Sequence, residues 1–243
     1  LPKGVKGRIG VDVSPVNSER VYVKIEAEDG GVYRSDDGGK TFVRVNGEYK
    51  VRDRPFYYTH IFADPVDEDT VYVLTRNFSK SVDGGKTYEV IRLPHGDAHD
   101  LWVNPEHPSI WINGNDGGAT ISLNSGATWS TQMNQPTAEF YRVATDNQFP
   151  YRVYGCQQDN SSISVSSTEP GRRSLPDMYS VGGGEQGHVA IDPRDSNIVY
   201  ATEHGGVITR YDHRTGQTRE IRAYPELSKL VGADEQKYRF QMN

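Results

Sequence analysis

Short apolar segments separated by polar turns run along the whole chain, with no amphipathic helical pattern between them. GRIGVDVSPVNSERVYV (7–23) recurs as THIFADPVDEDTVYV (59–73), HDLWVNPEHPSIWI (99–112), YRVATDNQFPYRVYG (141–155) and GHVAIDPRDSNIVYA (187–201). Each copy predicts a strand, a turn that carries Pro, Asp or Asn, and a second strand. The aromatic anchors lie 50, 39, 43 and 46 residues apart, at Tyr22, Tyr72, Trp111, Tyr154 and Tyr200. Such a period indicates a repeat fold.

A second motif, Ser-x-Asp/Asn-x-Gly-x-Thr-aromatic, follows the same period. It occurs as SDDGGKTF (35–42), SVDGGKTY (81–88) and SLNSGATW (122–129), and in degenerate form as RYDHRTGQT (210–218). Gly supplies the positive φ of a tight turn, and Asp or Asn caps the turn amides. Asp37, Asp83 and Asn124 are therefore predicted to build turns. The fourth unit has no clear copy, and 174–184 is predicted to be an inserted loop.

Each unit contains about four short strands in roughly 40–50 residues, the size of a propeller blade. The prediction is an all-β fold, a single β-propeller segment over 1–243 built of four-stranded antiparallel blades. The approximate blades are 7–50, 51–92, 93–134, 135–180 and 181–223. Residues 224–243 are predicted to be a linker and the start of a further blade, with one helix candidate at 225–236. The segment is therefore expected to belong to a larger propeller and to contact the remaining blades or another chain.

The Ser-x-Asp-x-Gly-x-Thr-aromatic motif resembles the Asp-box, or BNR repeat, of sialidases, sortilin-type receptors and xyloglucanase-like glycosidases. Combined with the DPxxxxxVY strands, the chain looks most like the sortilin/xyloglucanase-like, or glycosyl-hydrolase-like, BNR-repeat propellers of bacteria. The resemblance covers nearly the whole chain. It implies a β-propeller that is secreted, periplasmic or at the cell surface, but the Asp-box occurs in enzymes and receptors alike.

Antiparallel strand order separates two ends of each blade. The first-to-second and third-to-fourth turns lie at one end, which we call the turn end. The second-to-third loops and the segments entering each first strand lie at the other, the loop end. Polar and aromatic side chains at the loop end predict a polar-ligand site. The candidate ligand-binding residues are Arg54, Tyr57, Tyr58, His60, His95, Asp97, His99, Asp100, Gln157, Gln158, Asn160, Glu185, His188, Glu203 and His204.

Three kinds of chemistry fit this end. Glycoside hydrolysis needs two carboxyl groups, and Asp116 and Asp159 are the candidate catalytic acids. Asp116 in GNDGGAT resembles the acid-bearing Asp-x-Gly-Gly segment of xyloglucanase-like enzymes, although Asp29 in AEDGGVY fits the same pattern. The alternative is a non-catalytic peptide- or protein-binding propeller of the sortilin type. A metal held by His95, Asp97 and His99 is a weaker hypothesis, because no fourth ligand is fixed by spacing; no metal or other cofactor is predicted.

Composition narrows the range of partners. The net charge is −6 without a basic block, which argues against nucleic acid, and no apolar run reaches the length of a membrane span. Cys156 is the single cysteine, so no disulfide forms within the chain. Polysaccharide or glycan is the predicted ligand class. Tyr57, Tyr58 and Trp102 are candidates for stacking on a sugar ring, although Trp102 lies in an inner strand and is predicted rather to be core.

Overall fold

A computed structural model describes residues 1–135, 137–168 and 177–222. The strands form five consecutive antiparallel sheets. The first contains β1 (Ile9–Val13), β2 (Val21–Ile25), β3 (Gly31–Ser35) and β4 (Val43–Asn46), and the second β5 (Ile61–Ala63), β6 (Val71–Leu74), β7 (Phe78–Ser81) and β8 (Glu89–Ile91). The third contains β9 (Ala98–Val103), β10 (Trp111–Asn115) and β11 (Gly118–Ser122). These three sheets belong to a compact unit, Leu1–Pro136.

The second compact unit begins at Thr137. It contains the fourth sheet, β12 (Phe140–Thr145), β13 (Arg152–Gln157), β14 (Ser162–Ser166) and β15 (Met178–Ser180). The fifth sheet contains β16 (Val189–Ile191), β17 (Ile198–Glu203), β18 (Val207–Asp212) and β19 (Gln217–Glu220). The only helical elements in the described ranges are two three-residue 3-10 helices, Tyr49–Val51 and His204–Gly206.

The predicted fold class, an all-β chain of propeller blades, is confirmed. Four sheets have four antiparallel strands in sequence order, the up-and-down arrangement of a blade. The third sheet has three strands within the described residues, and the Ser130 amide donates to Ile121 O at 2.8 Å where a fourth strand would pair. The linker and further blade predicted for 224–243, with the helix at 225–236, lie outside the described residues.

One prediction for the fourth unit was wrong. Residues 174–184 were expected to form an inserted loop, but Met178–Ser180 pairs with β14 as the fourth strand. Arg152, on β13, contacts this short strand from two strands away in the sheet. Its guanidinium donates to the Asp177 carboxylate at 2.5 Å and lies 4.6 Å from the centre of the Tyr179 ring. Three residues are too few to show an alternating pattern, so the strand is invisible in the sequence.

The repeated first-to-second turns close in the same way in all five sheets. In each, the amide of the residue that follows the first strand donates to a carbonyl six positions later, at 3.0–3.3 Å. The bonded pairs are Ser14–Arg20, Asp64–Thr70, Asn104–Ile110, Asp146–Arg152 and Asp192–Ile198. In two sheets the acid also ties down the aromatic anchor, because Tyr72 donates to Asp64 at 2.7 Å and Tyr154 to Asp146 at 2.8 Å. The shared geometry explains the repeated spacing within the chain.

Hydrogen bonds between turns establish the two ends of a blade. The Gly38 amide donates to Glu19 O at 2.9 Å, and the Gly84 amide donates to Asp69 O at 2.8 Å. Each bond joins a third-to-fourth turn to the first-to-second turn of its own sheet. The turn end and the loop end predicted from strand order are therefore present.

Apolar side chains fill the space between adjacent sheets of the first unit. The core between the first and second sheets consists of Tyr22, Val32, Val51, Ile61, Val71, Val73 and Tyr88. A second core, between the second and third sheets, includes Tyr72, Leu74, Phe78, Ala98, Leu101 and Trp111. In the second unit, Tyr154, Val181, Val199 and Tyr211 form the corresponding core. These contacts fix the strands from which the loop-end segments project.

A lysine lies within the first of these cores. Lys24 on β2 is only 1% exposed, and its Nζ donates to Leu74 O of the second sheet at 3.1 Å. Burial lowers the pKa of Lys24 to about 7, although the Asp53 carboxylate acts in the opposite direction. Across the part of the chain that the structure describes, no helix has the length and apolar character needed to cross a membrane.

Candidate functional site

The Ser-Asp/Asn-Gly-Thr turns at the turn end satisfy their own polar groups. Asp37 accepts hydrogen bonds from the Thr41 hydroxyl at 2.6 Å, the Thr41 amide at 2.8 Å and the Ser35 hydroxyl at 2.7 Å. These bonds, with those from Thr41 first, lower the pKa of the Asp37 carboxyl to about 2. The prediction that this acid builds the turn is confirmed.

The other two copies have the same geometry. Burial acts to raise the pKa of Asp83, but hydrogen bonds from Thr87 and Ser81 outweigh it and lower the pKa to about 2. Asn124 replaces the acid in the third copy; it accepts from the Thr128 amide at 2.8 Å and donates to the Thr128 hydroxyl at 2.9 Å. The same turn therefore forms with or without a charge.

At the loop end of the first unit, five predicted residues meet. We call this group, Arg54, Tyr57, Tyr58, His99 and Asp116, the Tyr57 cluster. The ring centres of Tyr57 and Tyr58 are 4.9 Å apart and edge-on, and both rings lie within 5.7 Å of the His99 ring. The Arg54 guanidinium carbon is 5.5 Å from the Tyr57 ring centre and 5.9 Å from that of Tyr58. The cluster combines aromatic, cationic and carboxylate groups.

Exposure within the cluster differs sharply between the two tyrosines. Tyr57 is 51% exposed, whereas Tyr58 is 1% exposed and its hydroxyl has no hydrogen-bond partner in the described ranges. Burial raises the pKa of Tyr58, and the negative charge of Asp97 raises it further. Arg54 and Asp97 adopt positive φ values of 45° and 56°, conformations that are uncommon for residues other than glycine. Such backbone is often found where side chains are held for function.

His99 and Asp116 form a direct pair. His99 Nε2 lies 2.8 Å from Asp116 Oδ1, and both side chains are about one-third exposed, at 37% and 34%. His99 stands at the beginning of β9, whereas Asp116 lies in the β10–β11 loop, so antiparallel pairing brings them together. Gly117 is required beside Asp116, because an added Cβ would lie 2.7 Å from the His95 Cβ.

The structure does not assemble the hypothetical metal site of His95, Asp97 and His99. His99 turns toward Asp116, and His95 Nδ1 lies 3.1 Å from Gly96 O. The positive φ of Asp97 breaks the regular alternation that would place the three side chains on one side. No three His, Cys, Asp or Glu residues in the described ranges are arranged to hold a metal ion.

The second unit brings together a different group, centred on Glu185. Glu185 Oε1 lies 2.9 Å from His204 Nδ1, and Oε2 accepts from Gln158 Nε2 at 2.7 Å and from the Asp159 amide at 3.0 Å. The Tyr141 hydroxyl in turn donates to Gln158 Oε1. Asp159 takes part through its backbone, at a φ of 51°, while its side chain is exposed. Glu185, rather than Asp159, is therefore the carboxylate whose position is fixed by hydrogen bonds in this group.

Asp116 and Asp159 belong to different compact units, and their pairing as catalytic acids stays a prediction. The remaining candidate residues make mostly local contacts. Gln157 donates to Ser161 O at 3.0 Å, Asn160 accepts from the Ser161 amide at 3.0 Å, and Asp100 accepts from the Leu101 amide at 2.8 Å. His188 accepts from Arg142 Nε at 2.7 Å. His60 is exposed, and Glu203 ends β17.

Sequence reasoning missed some exposed aromatic surface. Phe56, beside Tyr57, is 59% exposed, and the aromatic density of RPFYY was the available signal. Trp102 was predicted to be core, but it is 49% exposed. Alternate side chains of β9 face opposite sides of the sheet. Leu101 packs into the core with the second sheet. Trp102 lies on the other face, opposite Ile112, which is in turn opposite Ile121.

No protein-family model matches the chain, and no curated protein matches it. Among solved structures, the chain is similar to an ancestral GH74 enzyme, with 17% identity and a TM-score of 0.45 over 91% of this chain and 32% of that one. It is also similar to the GH74 xyloglucanase from Xanthomonas campestris, with 20% identity and a TM-score of 0.38 over 87% of this chain and 37% of that one. A third similar structure is YCF48 from Cyanidioschyzon merolae, with 16% identity and a TM-score of 0.40 over 93% of this chain and 74% of that one.

The chain spans about a third of the length of the GH74 enzymes that it matches. At these identities and TM-scores the likenesses carry no argument about function.

Proposed function

We propose that the chain is part of an Asp-box, or BNR-repeat, β-propeller of the sortilin/xyloglucanase-like kind, and that the Tyr57 cluster binds polysaccharide or glycan. The three copies of the Ser-Asp/Asn-Gly-Thr turn support the first part. Sequence resemblance alone supports a bacterial protein that is secreted, periplasmic or at the cell surface. The proposal extends to a larger propeller whose other blades come from the same polypeptide or another chain.

The half-exposed Tyr57 ring carries the binding proposal. An exposed aromatic face can stack on the apolar face of a sugar ring, while neighbouring polar groups fix its hydroxyls. The His99–Asp116 pair supplies such groups, and Arg54 adds five N–H donors.

Hydrolysis is a further step that binding alone does not require. A glycosidase needs two carboxyl groups, roughly 5–10 Å apart, in different protonation states. The proposal takes Asp116 and Asp159 individually as candidate catalytic acids, each to be tested by itself. Release of reducing ends from plant and bacterial polysaccharides by the protein, and its loss in Asp116→Asn or Asp159→Asn, would support catalysis; binding without release would leave a lectin-like role.

Binding is tested by titrating the purified protein with soluble polysaccharides, using calorimetry and affinity electrophoresis. Tyr57→Ala should weaken binding about tenfold, because stacking of a sugar on one aromatic ring contributes on the order of 1–2 kcal/mol. Tyr151→Ala is the matched control, since Tyr151 is 48% exposed but lies in the turn between β12 and β13. Equal loss in both variants, or no binding to any polysaccharide, contradicts the proposal.

The edge of β11 favours a second candidate function, the binding of an extended peptide. The Gln135 side chain accepts from the Ala119 amide at 2.9 Å and donates to Ala119 O at 2.6 Å, as a neighbouring strand would. The Ser130 hydroxyl similarly accepts from the Ile121 amide at 2.9 Å. Side chains thus occupy hydrogen-bonding positions that a peptide strand uses in β-augmentation.

This alternative predicts slower amide exchange at β11 when a peptide is bound than in the free protein. Amide hydrogen exchange of Ala119 and Ile121 should slow upon addition of a peptide ligand selected from a random library. Gln135→Ala should increase peptide affinity by removing the competing side chain. If peptides protect neither amide and Gln135→Ala has no effect, the glycan proposal remains the better one.

A further inference from the structure

Arg54 differs from most arginines of the chain in having its guanidinium uncommitted. It is exposed, and among the described residues it makes neither a hydrogen bond nor an ion pair through its side chain. By contrast, Arg20 contacts Asp69 at 2.7 Å and Arg76 contacts Asp53 at 2.6 Å. An unpaired guanidinium fork in a candidate binding site is available to a ligand.

The position of Arg54 is nevertheless well defined. Its carbonyl accepts from the amides of Tyr57 and Tyr58 at 2.9 and 3.0 Å, which closes a tight turn. Arg54 has a φ of 45°. Because the next residue is Pro55, the backbone of Arg54 is further restricted. The guanidinium then lies over both tyrosine rings. Because the group is held before a ligand arrives, less conformational entropy is lost on binding.

The neighbouring carboxylates are mostly engaged elsewhere. Asp53 is buried and bonded to Arg76 and to the Tyr49 hydroxyl, at 2.6 and 2.7 Å. Burial acts to raise the pKa of Asp53, but these partners outweigh it and lower the pKa. Asp116 is shared with His99. Asp97 is a further acid near Tyr58. Among the described residues, none of these carboxylates lies within ion-pair distance of the Arg54 guanidinium, so its N–H donors face no direct protein acceptor.

We infer that the glycan bound by the Tyr57 cluster is acidic, with a ring carboxylate held by Arg54; this inference rests on the proposed function. A guanidinium binds a carboxylate through two parallel N–H donors. The same sugar ring would stack on the half-exposed Tyr57, and its hydroxyls would meet the His99–Asp116 pair. Uronic-acid polysaccharides are the chemical class with these features.

The test uses two probes with the same sugar rings: an oligogalacturonate and its methyl-esterified form. Esterification removes the carboxylate charge and keeps the sugar rings. The wild-type protein should bind the free acid at least about tenfold more tightly than the ester, as expected for charge-assisted hydrogen bonds. The difference should shrink as salt rises from about 0.05 to 0.5 M, because the contact is exposed.

Variants assign the preference to one residue. Arg54→Gln should reduce affinity for the free acid to that for the ester, and Arg54→Lys should restore only part of it, since lysine lacks the planar fork. Arg194→Gln is the control, because Arg194 lies at the turn end with a side chain 88% exposed. Circular dichroism and thermal unfolding establish that each variant folds.

The outcomes separate the inference from the proposed function. Equal affinity of the wild-type protein for acid and ester, or a preference that survives Arg54→Gln, overturns the acidic-glycan inference. Binding of neutral polysaccharides without either probe overturns it as well and leaves the glycan proposal intact. Failure to bind any polysaccharide contradicts both.

Discussion

Carboxylates at the turn end and at the loop end carry the same charge but take their hydrogen-bond partners from different distances along the chain. The partners of Asp37 and Asp83 lie within four residues. Asp116 pairs with a residue 17 positions away, and Glu185 accepts from residues 26 and 27 positions away. Local partners stabilise a turn and leave few carboxylate lone pairs available to a ligand. Partners from separate strands depend on the fold and leave part of each group facing solvent.

The largest effect that this comparison predicts is on stability at the turn end. Ser81→Ala should lower the free energy of unfolding by about 2 kcal/mol, because it leaves the amide of Gly85 without its buried acceptor. Glycan binding should not change. Chemical denaturation measures the first quantity, and Ser18→Ala, at an exposed position in a first-to-second turn, is the control. An unchanged midpoint would show that the turn is not held by this serine.

An effect on ligand affinity comes next. Asp116→Asn should weaken glycan binding about tenfold, or ~1.4 kcal/mol, while the free energy of unfolding changes by less than about 0.5 kcal/mol. The partly exposed carboxylate contributes a charge to the ligand site but little to folding. Glu106→Gln, at the turn end of the same sheet, is the matched control for calorimetry. A stability loss as large as that of Ser81→Ala would erase the distinction between the two ends.

The smallest predicted effect depends on pH. The folded pKa of Asp83 is about 2, below its usual 3.8, so the carboxylate stabilises the fold above pH 3.8 and this contribution disappears as pH falls through 2. Asp83→Asn should therefore cost roughly 1 kcal/mol at pH 7, after allowance for solvent screening, and only a small part of that at pH 2. Urea unfolding of both proteins at a series of pH values measures this difference.

Asn124 allows the converse substitution to be tested in an equivalent turn. It forms the same turn with an amide in place of the acid, and it donates to Thr128 where Asp83 accepts from Thr87. The converse variant, Asn124→Asp, should therefore gain a comparable stabilising contribution at pH 7. A gain that persists at pH 2 would mean that geometry, rather than charge, accounts for the difference.

The sequence predicted what depends on neighbours along the chain. The roles of Asp37 and Asp83 could be recognised because their partners repeat at fixed short spacing. The exposure of Trp102 could not, since alternation in a strand says only that two faces exist, not what covers each. Likewise, the importance of Glu185 over Asp159 arises from a loop and a link that meet only in the folded chain. The fourth strand at 178–180 required Arg152 from β13.

Lys24 provides a reporter for the separation of the first two sheets. Its amine is closed off from reagents in the folded protein, and it contacts Leu74 across the core. Acylation can proceed only when the sheets part, so the labelling rate of this amine, read by mass spectrometry, counts opening events. Exposed Lys3 and Lys40 supply reference rates within the same molecule. Labelling of Lys24 at the rate of Lys3 would show that the two sheets part freely, whereas much slower labelling would show that the core holds them together.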